Sequence, residues 1–112
     1  MQKVNQKIYK IQVFVPETHL DQVRIAIGES GAGKIGNYDY CSYVSKGEGY
    51  FRPLKGSKPF IGKLDEIEKV SEYKIEFVCK DDQIEKTISA IKSVHPYEEI
   101  AFDVFPLESK YF

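Results

Sequence analysis

One pattern is written twice along this chain and constrains its fold more than any other: alternating apolar residues run directly into an amphipathic helix. In the first copy, Tyr9, Ile11, Val13 and Val15 take every second position and Pro16 stops the run. Thr18 then stands where a helix cap is wanted, with Asp21 three residues on. Leu20, Val23 and Ile27 share one helical face, with Ala26 beside them, and Gly28 and Gly31 end the helix. In the second copy the strand runs from Glu66 to Cys79. Tyr73, Ile75, Phe77 and Cys79 lie on one face, Lys74 and Glu76 on the other. Asp81 or Asp82 caps the helix that follows, whose Ile84, Ile88 and Ile91 recur at helical spacing. His95-Pro96 ends it, because a residue before proline is pushed out of the helical region.

Between the two copies, Tyr38 to Val44 and Gly49 to Pro53 read as short strands around a Ser45-Lys46-Gly47-Glu48 loop. Leu54 to Gly62, with its prolines and glycines, reads as an irregular connector. Ile100, Phe102 and Val104 alternate in a last strand that ends at Pro106. The order strand–helix–strand, twice, predicts a split βαβ, ferredoxin-like α+β fold. It has an antiparallel sheet, both helices on one face, and an elaborated central hairpin. A length of 112 residues fits one domain spanning residues 1–112, with 1–7 extended or disordered.

The formal charge of −1 removes the basic surface that nucleic acids or anionic membranes require. No apolar run reaches the roughly 18 residues of a membrane span. The polar start of the chain lacks a signal-peptide core, and Cys41 and Cys79 are too few for a disulfide scaffold. A cytoplasmic protein with reduced thiols is the expectation. Fifteen Phe and Tyr with no Trp (7 and 8) point to aromatic rings filling a core or an interface.

Three features invite a chemical reading. Gly28-Glu29-Ser30-Gly31-Ala32-Gly33-Lys34 imitates a phosphate-binding loop, but Ile35 stands where the Mg²⁺-binding hydroxyl belongs. The run also follows a helix instead of leading into one, so no helix N-terminus faces a phosphate. The second feature, Gly33 to Ser42, gathers a thiol, a hydroxyl and a carboxylate. It reads either as a binding loop or as a turn feeding a two-faced strand. Cys41 as a nucleophile would need His95 as its base. Third, His95-Pro96-Tyr97-Glu98-Glu99 offers His95, Glu98 and Glu99 as donors to a divalent metal, with Cys41 a further donor. Its alternative is a helix-to-strand corner in which His95 bonds backbone, Tyr97 packs and the glutamates are solvated. His19 reads as a surface residue, and the mixed Lys and Glu of 63–86 as a solvated face.

Three stretches carry a family resemblance: Gly31-Ala32-Gly33-Lys34-Ile35-Gly36-Asn37-Tyr38 through Cys41-Ser42, Gly47 through Pro53, and His95 through Glu99. In this order they resemble the inserted domain of the NIF-three-like (YqfO-type) family, over nearly the whole chain. That domain is in turn similar to the CutA divalent-cation-tolerance proteins and distantly to the PII signal proteins. The resemblance implies a ferredoxin-like homo-oligomer, a trimer first and a dimer second. In long members a metal pair is held in flanking domains that are missing here, so a hydrolase or cyclohydrolase role does not follow. The CutA motif continues to Pro-Glu, whereas Ile100-Ala101 stands here, which weakens a copper reading. The expected protein is a free-standing accessory domain, a binding or regulatory module without catalysis of its own. Its ligand would contact Gly33, Gly36, Asn37, Tyr38, Cys41 and Tyr97, between subunits.

Overall fold

The two strand–helix units close on each other as their pattern requires. A computed structural model describes residues 6–112, so the expected extended or disordered start lies, for 1–5, outside the described residues. The elements are β1 (Ile8–Pro16), α1 (Leu20–Glu29), β2 (Tyr43–Phe51), β3 (Glu68–Lys80), α2 (Ile84–Val94) and β4 (Phe102–Pro106). The strands form one antiparallel sheet in the order β2-β3-β1-β4. With both helices on one face, this is the ferredoxin-like α+β arrangement.

The alternation sets the core. Ile11, Val13 and Val15 of β1 and Ile75, Phe77 and Cys79 of β3 are buried beneath Val23 and Ile27 of α1 and Ile91 of α2. A buried polar pair joins the helices through this layer. The Ser30 hydroxyl donates to the Ile27 carbonyl at 2.7 Å and meets the Thr87 hydroxyl at 2.8 Å. Thr87→Val removes one of these bonds in a site closed to water and is expected to cost about 1 kcal/mol. Urea unfolding followed by circular dichroism would measure it, and an unchanged midpoint would refute it.

Neither helix starts as its sequence suggests. No side chain caps α1 or α2: Thr18 Oγ1 bonds His19 Nδ1 at 2.7 Å, and Asp81 and Asp82 lie in a 3₁₀ turn. The 3₁₀ turns Glu17–His19 and Asp81–Gln83 do the capping instead. They direct the Leu20 N–H to the Glu17 carbonyl and the Ile84 N–H to the Asp81 carbonyl.

The central hairpin also differs. Residues 45–48 form no turn but the middle of one continuous strand, Tyr43–Phe51, and the chain reverses in the connector 52–67. The glycines there serve the sheet. A Cβ at Gly49 would collide with the Glu72 carboxylate, which leans across from β3, so this glycine marks a close approach and not a reversal. β4 begins at Phe102, two residues later than its alternation begins, although Ala101 already accepts the Phe14 N–H at 3.1 Å.

β3 is longer than the strand it lies beside. Pro16 of β1 pairs with Glu72, so Glu68 to Ser71 pair only with β2. This two-stranded ribbon and its connector project past the sheet. The molecule measures 58 × 23 × 22 Å, with a Cα radius of gyration of 15.8 Å. A compact chain of this length would have about 13 Å. No helix among the described residues is long and apolar enough to cross a membrane.

Candidate functional site

The ribbon is held by the His95 corner. Pro96 forces His95 out of the helix into extended backbone (φ −79°, ψ 135°), which swings its ring back over β1. His95 is 8% exposed, and both ring nitrogens are engaged. Nε2 lies 2.7 Å from the Phe14 carbonyl and therefore donates, while Nδ1 accepts the Tyr97 N–H at 3.1 Å. Only the neutral ring with its proton on Nε2 satisfies both partners. Burial, the dominant influence, lowers the His95 pKa against the opposing pull of the Phe14 carbonyl, with a small further lowering from His19.

Tyr97 carries the corner outward. Its ring lies 4.9 Å from that of His95, 6.5 Å from Phe51 at the end of β2 and 6.4 Å from Phe60 in the connector. Its hydroxyl donates to Glu72 at 3.1 Å. Burial first, then the Glu72 charge and this bond, push the phenol above its usual range, so it stays a donor. The Lys58 N–H donates to both oxygens of Glu98, at 3.1 and 3.3 Å, and the His19 ring meets Phe60 edge-on at 5.6 Å. The His95–Glu98 stretch is thus a brace that ties β1, the ribbon and the connector together. It matches the corner alternative, except that Glu98 is tied to backbone.

That brace engages two of the donors a metal would need. His95 has no free nitrogen, Glu98 caps Lys58, and among the described residues no group of three or more His, Cys, Asp or Glu side chains is placed to hold a metal ion. As folded, His95, Glu98 and Glu99 with Cys41 do not fit a divalent cation. The same geometry removes His95 as a base for Cys41.

The glycine loop lies elsewhere. Gly33 donates its N–H to the Val78 carbonyl at 2.8 Å and accepts that of Cys41 at 2.9 Å, which fixes the loop against β3 beyond the end of β2. Ile35 and Tyr38 bond each other in a tight turn, with Gly36 at φ +58°. Gly36, Asn37 and Tyr38 are exposed, Gly33 is buried, and the half-buried Cys41 sulfur sits 3.6 Å from the Asp39 carbonyl. The Tyr40 ring packs where a Cβ of Gly28 would be, so the imitation phosphate loop is a docking point for the turn that follows it. Cys79 is buried, which raises its thiol pKa and leaves it inert.

The structure does not bring the two clusters together within one chain. Gly33 is tied at Val78, His95 at Phe14, and Phe14 pairs with Lys74. Those anchors are four residues apart along β3, about 13 Å, on opposite edges of that strand. Sequence reading missed Glu72, Phe51, Phe60 and Lys58 as partners of Tyr97 and Glu98. One signal was available: a glycine inside a strand pattern, Gly49, announcing a large side chain opposite.

No protein-family model matches the chain. It is 50% identical over 105 residues to the GTP cyclohydrolase 1 type 2 homolog of Halalkalibacterium halodurans, covering 94% of this chain and 28% of that protein. The Bacillus subtilis protein of the same name is 46% identical over 99 residues, covering 88% and 26%. A solved structure, the Bacillus cereus protein related to NIF3, superposes with a TM-score of 0.84 at 40% identity, over 96% of this chain and 28% of its own. The CutA protein of Archaeoglobus fulgidus superposes with a TM-score of 0.66 at 14% identity, over 90% and 84%, a likeness of fold alone. The resemblance to NIF-three-like proteins therefore holds along nearly the whole chain, which spans about a quarter of the length of the curated relatives it matches.

Proposed function

We propose that this chain, the counterpart of one segment of those longer proteins, is a cytoplasmic homo-oligomeric binding and regulatory module without catalysis of its own. The overhanging ribbon is the observation that carries this reading. An isolated two-stranded ribbon is marginal in water, and this one leaves Tyr50 64% and Ile67 75% exposed, with Leu54, Phe60 and Leu64 also outside. β2 is an edge strand of nine residues without proline, the kind of edge that proteins cover. The brace at His95 and Tyr97 ties the ribbon to the rest of the sheet, which suits a docking arm.

The cyclohydrolase in the relatives' names belongs to proteins more than three times as long, and among the described residues no group of three or more His, Cys, Asp or Glu is placed to hold a metal ion. A ligand that used both clusters would lie between subunits. Gly36, Asn37, Tyr38 and Cys41 of one copy would meet the Tyr97 corner of another, with Gly33 shaping the loop.

Light scattering across the micromolar range tests the assembly. A particle heavier than the 12.9 kDa chain is expected, and Ile67→Glu should lower its mass without changing the circular dichroism spectrum. A monomer at every concentration would overturn the proposal.

A further inference from the structure

A hollow opens on the uncovered face of the sheet where the ribbon leaves it. Residues paired across two strands point to the same side, and those between buried neighbours point away from the helices. The register therefore sets Phe14, Lys74 and Ser45 in one row on that face and Glu72 and Gly47 in the next. With Gly49 they line a space of about 330 Å³. Glycine weakens a strand interior, and two stand here within three residues. Gly49 is required by Glu72, whose Oε1 lies over it. Gly47 has no such neighbour. Nothing lies within 4 Å of a Cβ there, and pairing with β3 runs unbroken past it, without bulge or bend. What remains is the close approach of another molecule, for which glycine keeps the space open.

The charges around the hollow describe that molecule. Glu72 and Lys74 are half-buried alternate residues of β3, one of each sign. The Tyr97 hydroxyl takes Oε2 of Glu72, while Oε1 has no hydrogen-bond or ion-pair partner among the described residues. Lys74 Nζ lies 4.0 Å from Glu76 Oε2, at the outer limit of an ion pair, and Gln12 Nε2 already donates to Oε1 of that glutamate at 3.2 Å. Lys74 therefore keeps ammonium donors for another acceptor. The half-buried Ser45, paired beside it, adds a hydroxyl. Lys46 and Glu48 belong to the other face, where Lys46 lies over the Tyr73 ring and Glu48 meets Lys69. We infer that the hollow binds a small zwitterion, an α-amino acid with an apolar side chain. Its ammonium meets Glu72 Oε1, its carboxylate meets Lys74 Nζ and the Ser45 hydroxyl, and its side chain lies against the Phe14 ring. Ligand pockets begin at about 300 Å³, so a space of this size suits an amino acid better than a nucleotide. A nucleotide's phosphates would also face the Glu72 carboxylate. The inference rests on the binding role proposed above and names its ligand class, but it uses residues of one chain and is tested apart from the assembly.

Titration calorimetry with L-leucine, L-methionine and L-phenylalanine tests this. At least one is expected to bind saturably with a Kd of about 1 mM or tighter, the range of ordinary metabolite levels. Removing either charge from that ligand, as isoamylamine and isocaproate do for leucine, should weaken binding about tenfold or more, the scale of one hydrogen bond to a charged group. Glu72→Gln, which keeps an acceptor for the Tyr97 hydroxyl, should cause a similar loss. Gly47→Val suits a strand but fills the hollow, so it should abolish the heat with the circular dichroism spectrum unchanged. Glu48→Gln, on the other face, should bind as wild type does. Saturable binding by none of the three amino acids would overturn the inference, and so would an amine or acid that binds as tightly as its amino acid. Undiminished binding by Glu72→Gln would overturn it as well. An oligomer by light scattering that binds no amino acid would overturn this inference and leave the assembly standing. A monomer that binds one would do the reverse.

Discussion

Replacing His95 with alanine is expected to lower the unfolding free energy by about 3 kcal/mol at neutral pH, enough to threaten a domain of this size. The ring is almost fully buried and is the sole bridge between the Phe14 carbonyl and the Tyr97 N–H. Its removal leaves a donor and an acceptor without partners and takes the support from beneath Tyr97. Tyr97 in turn holds Glu72, Phe51 and Phe60, so the loss should spread to the ribbon. The effect also depends on pH in a defined direction. Because the folded-state pKa of His95 lies below its unfolded value of about 6.5, the unfolded chain binds the proton more readily. The stabilisation is fully present above that pH and declines as the pH falls from it toward the depressed folded value. Urea titrations of wild type and His95→Ala at pH 7.5 and pH 5 should show the gap between them narrowing at the lower pH. A gap that widens, or one already absent at pH 7.5, would contradict the assigned ring state.

Gly33→Ala is expected to cost a similar amount, about 3 kcal/mol, for a different reason. Gly33 has φ +73°, where a side chain costs roughly 1–2 kcal/mol by itself. A Cβ there would also stand 2.5 Å from the Cys41 carbonyl oxygen and 3.1 Å from its nitrogen. Both are backbone atoms fixed by the Cys41 N–H bond to Gly33, so neither can swing aside. Gly36 separates the two contributions. It too has positive φ, at +58°, but nothing lies within 4 Å of its would-be Cβ, so Gly36→Ala should cost only about 1 kcal/mol. Thermal unfolding of the two variants side by side measures the difference. Equal losses would mean that the Cys41 contact is not what demands glycine at 33.

Much of the fold was legible because periodicity reports burial. The alternation of Ile11, Val13 and Val15 and of Ile75, Phe77 and Cys79 named the covered face, and all six are buried. The helix faces of Val23, Ile27 and Ile91 followed from the same logic. Local letters misled where distant partners decide their meaning. Ser45-Lys46-Gly47-Glu48 has the composition of a turn, yet pairing with Glu72 and its neighbours on β3 draws it out straight. Thr18, Asp81 and Asp82 have the composition of caps, yet 3₁₀ turns satisfy the first N–H groups without them.

The sequence by itself determined the order of strands and helices, their inward faces and the kinship of the chain. All of these depend on residue types a few positions apart. It also weighed against the phosphate-loop reading, because Ile35 lacks the hydroxyl that pattern requires. Only the tertiary structure decided what the His95–Glu99 stretch does. Its partners lie far off in sequence: Phe14 is 81 residues from His95, Lys58 is 40 from Glu98, and Glu72 is 25 from Tyr97. A histidine with two carboxylates nearby offers the same atoms to a metal or to a backbone. Which of these it serves depends on what the fold brings within about 3 Å, and here the fold brings β1, the ribbon and its connector.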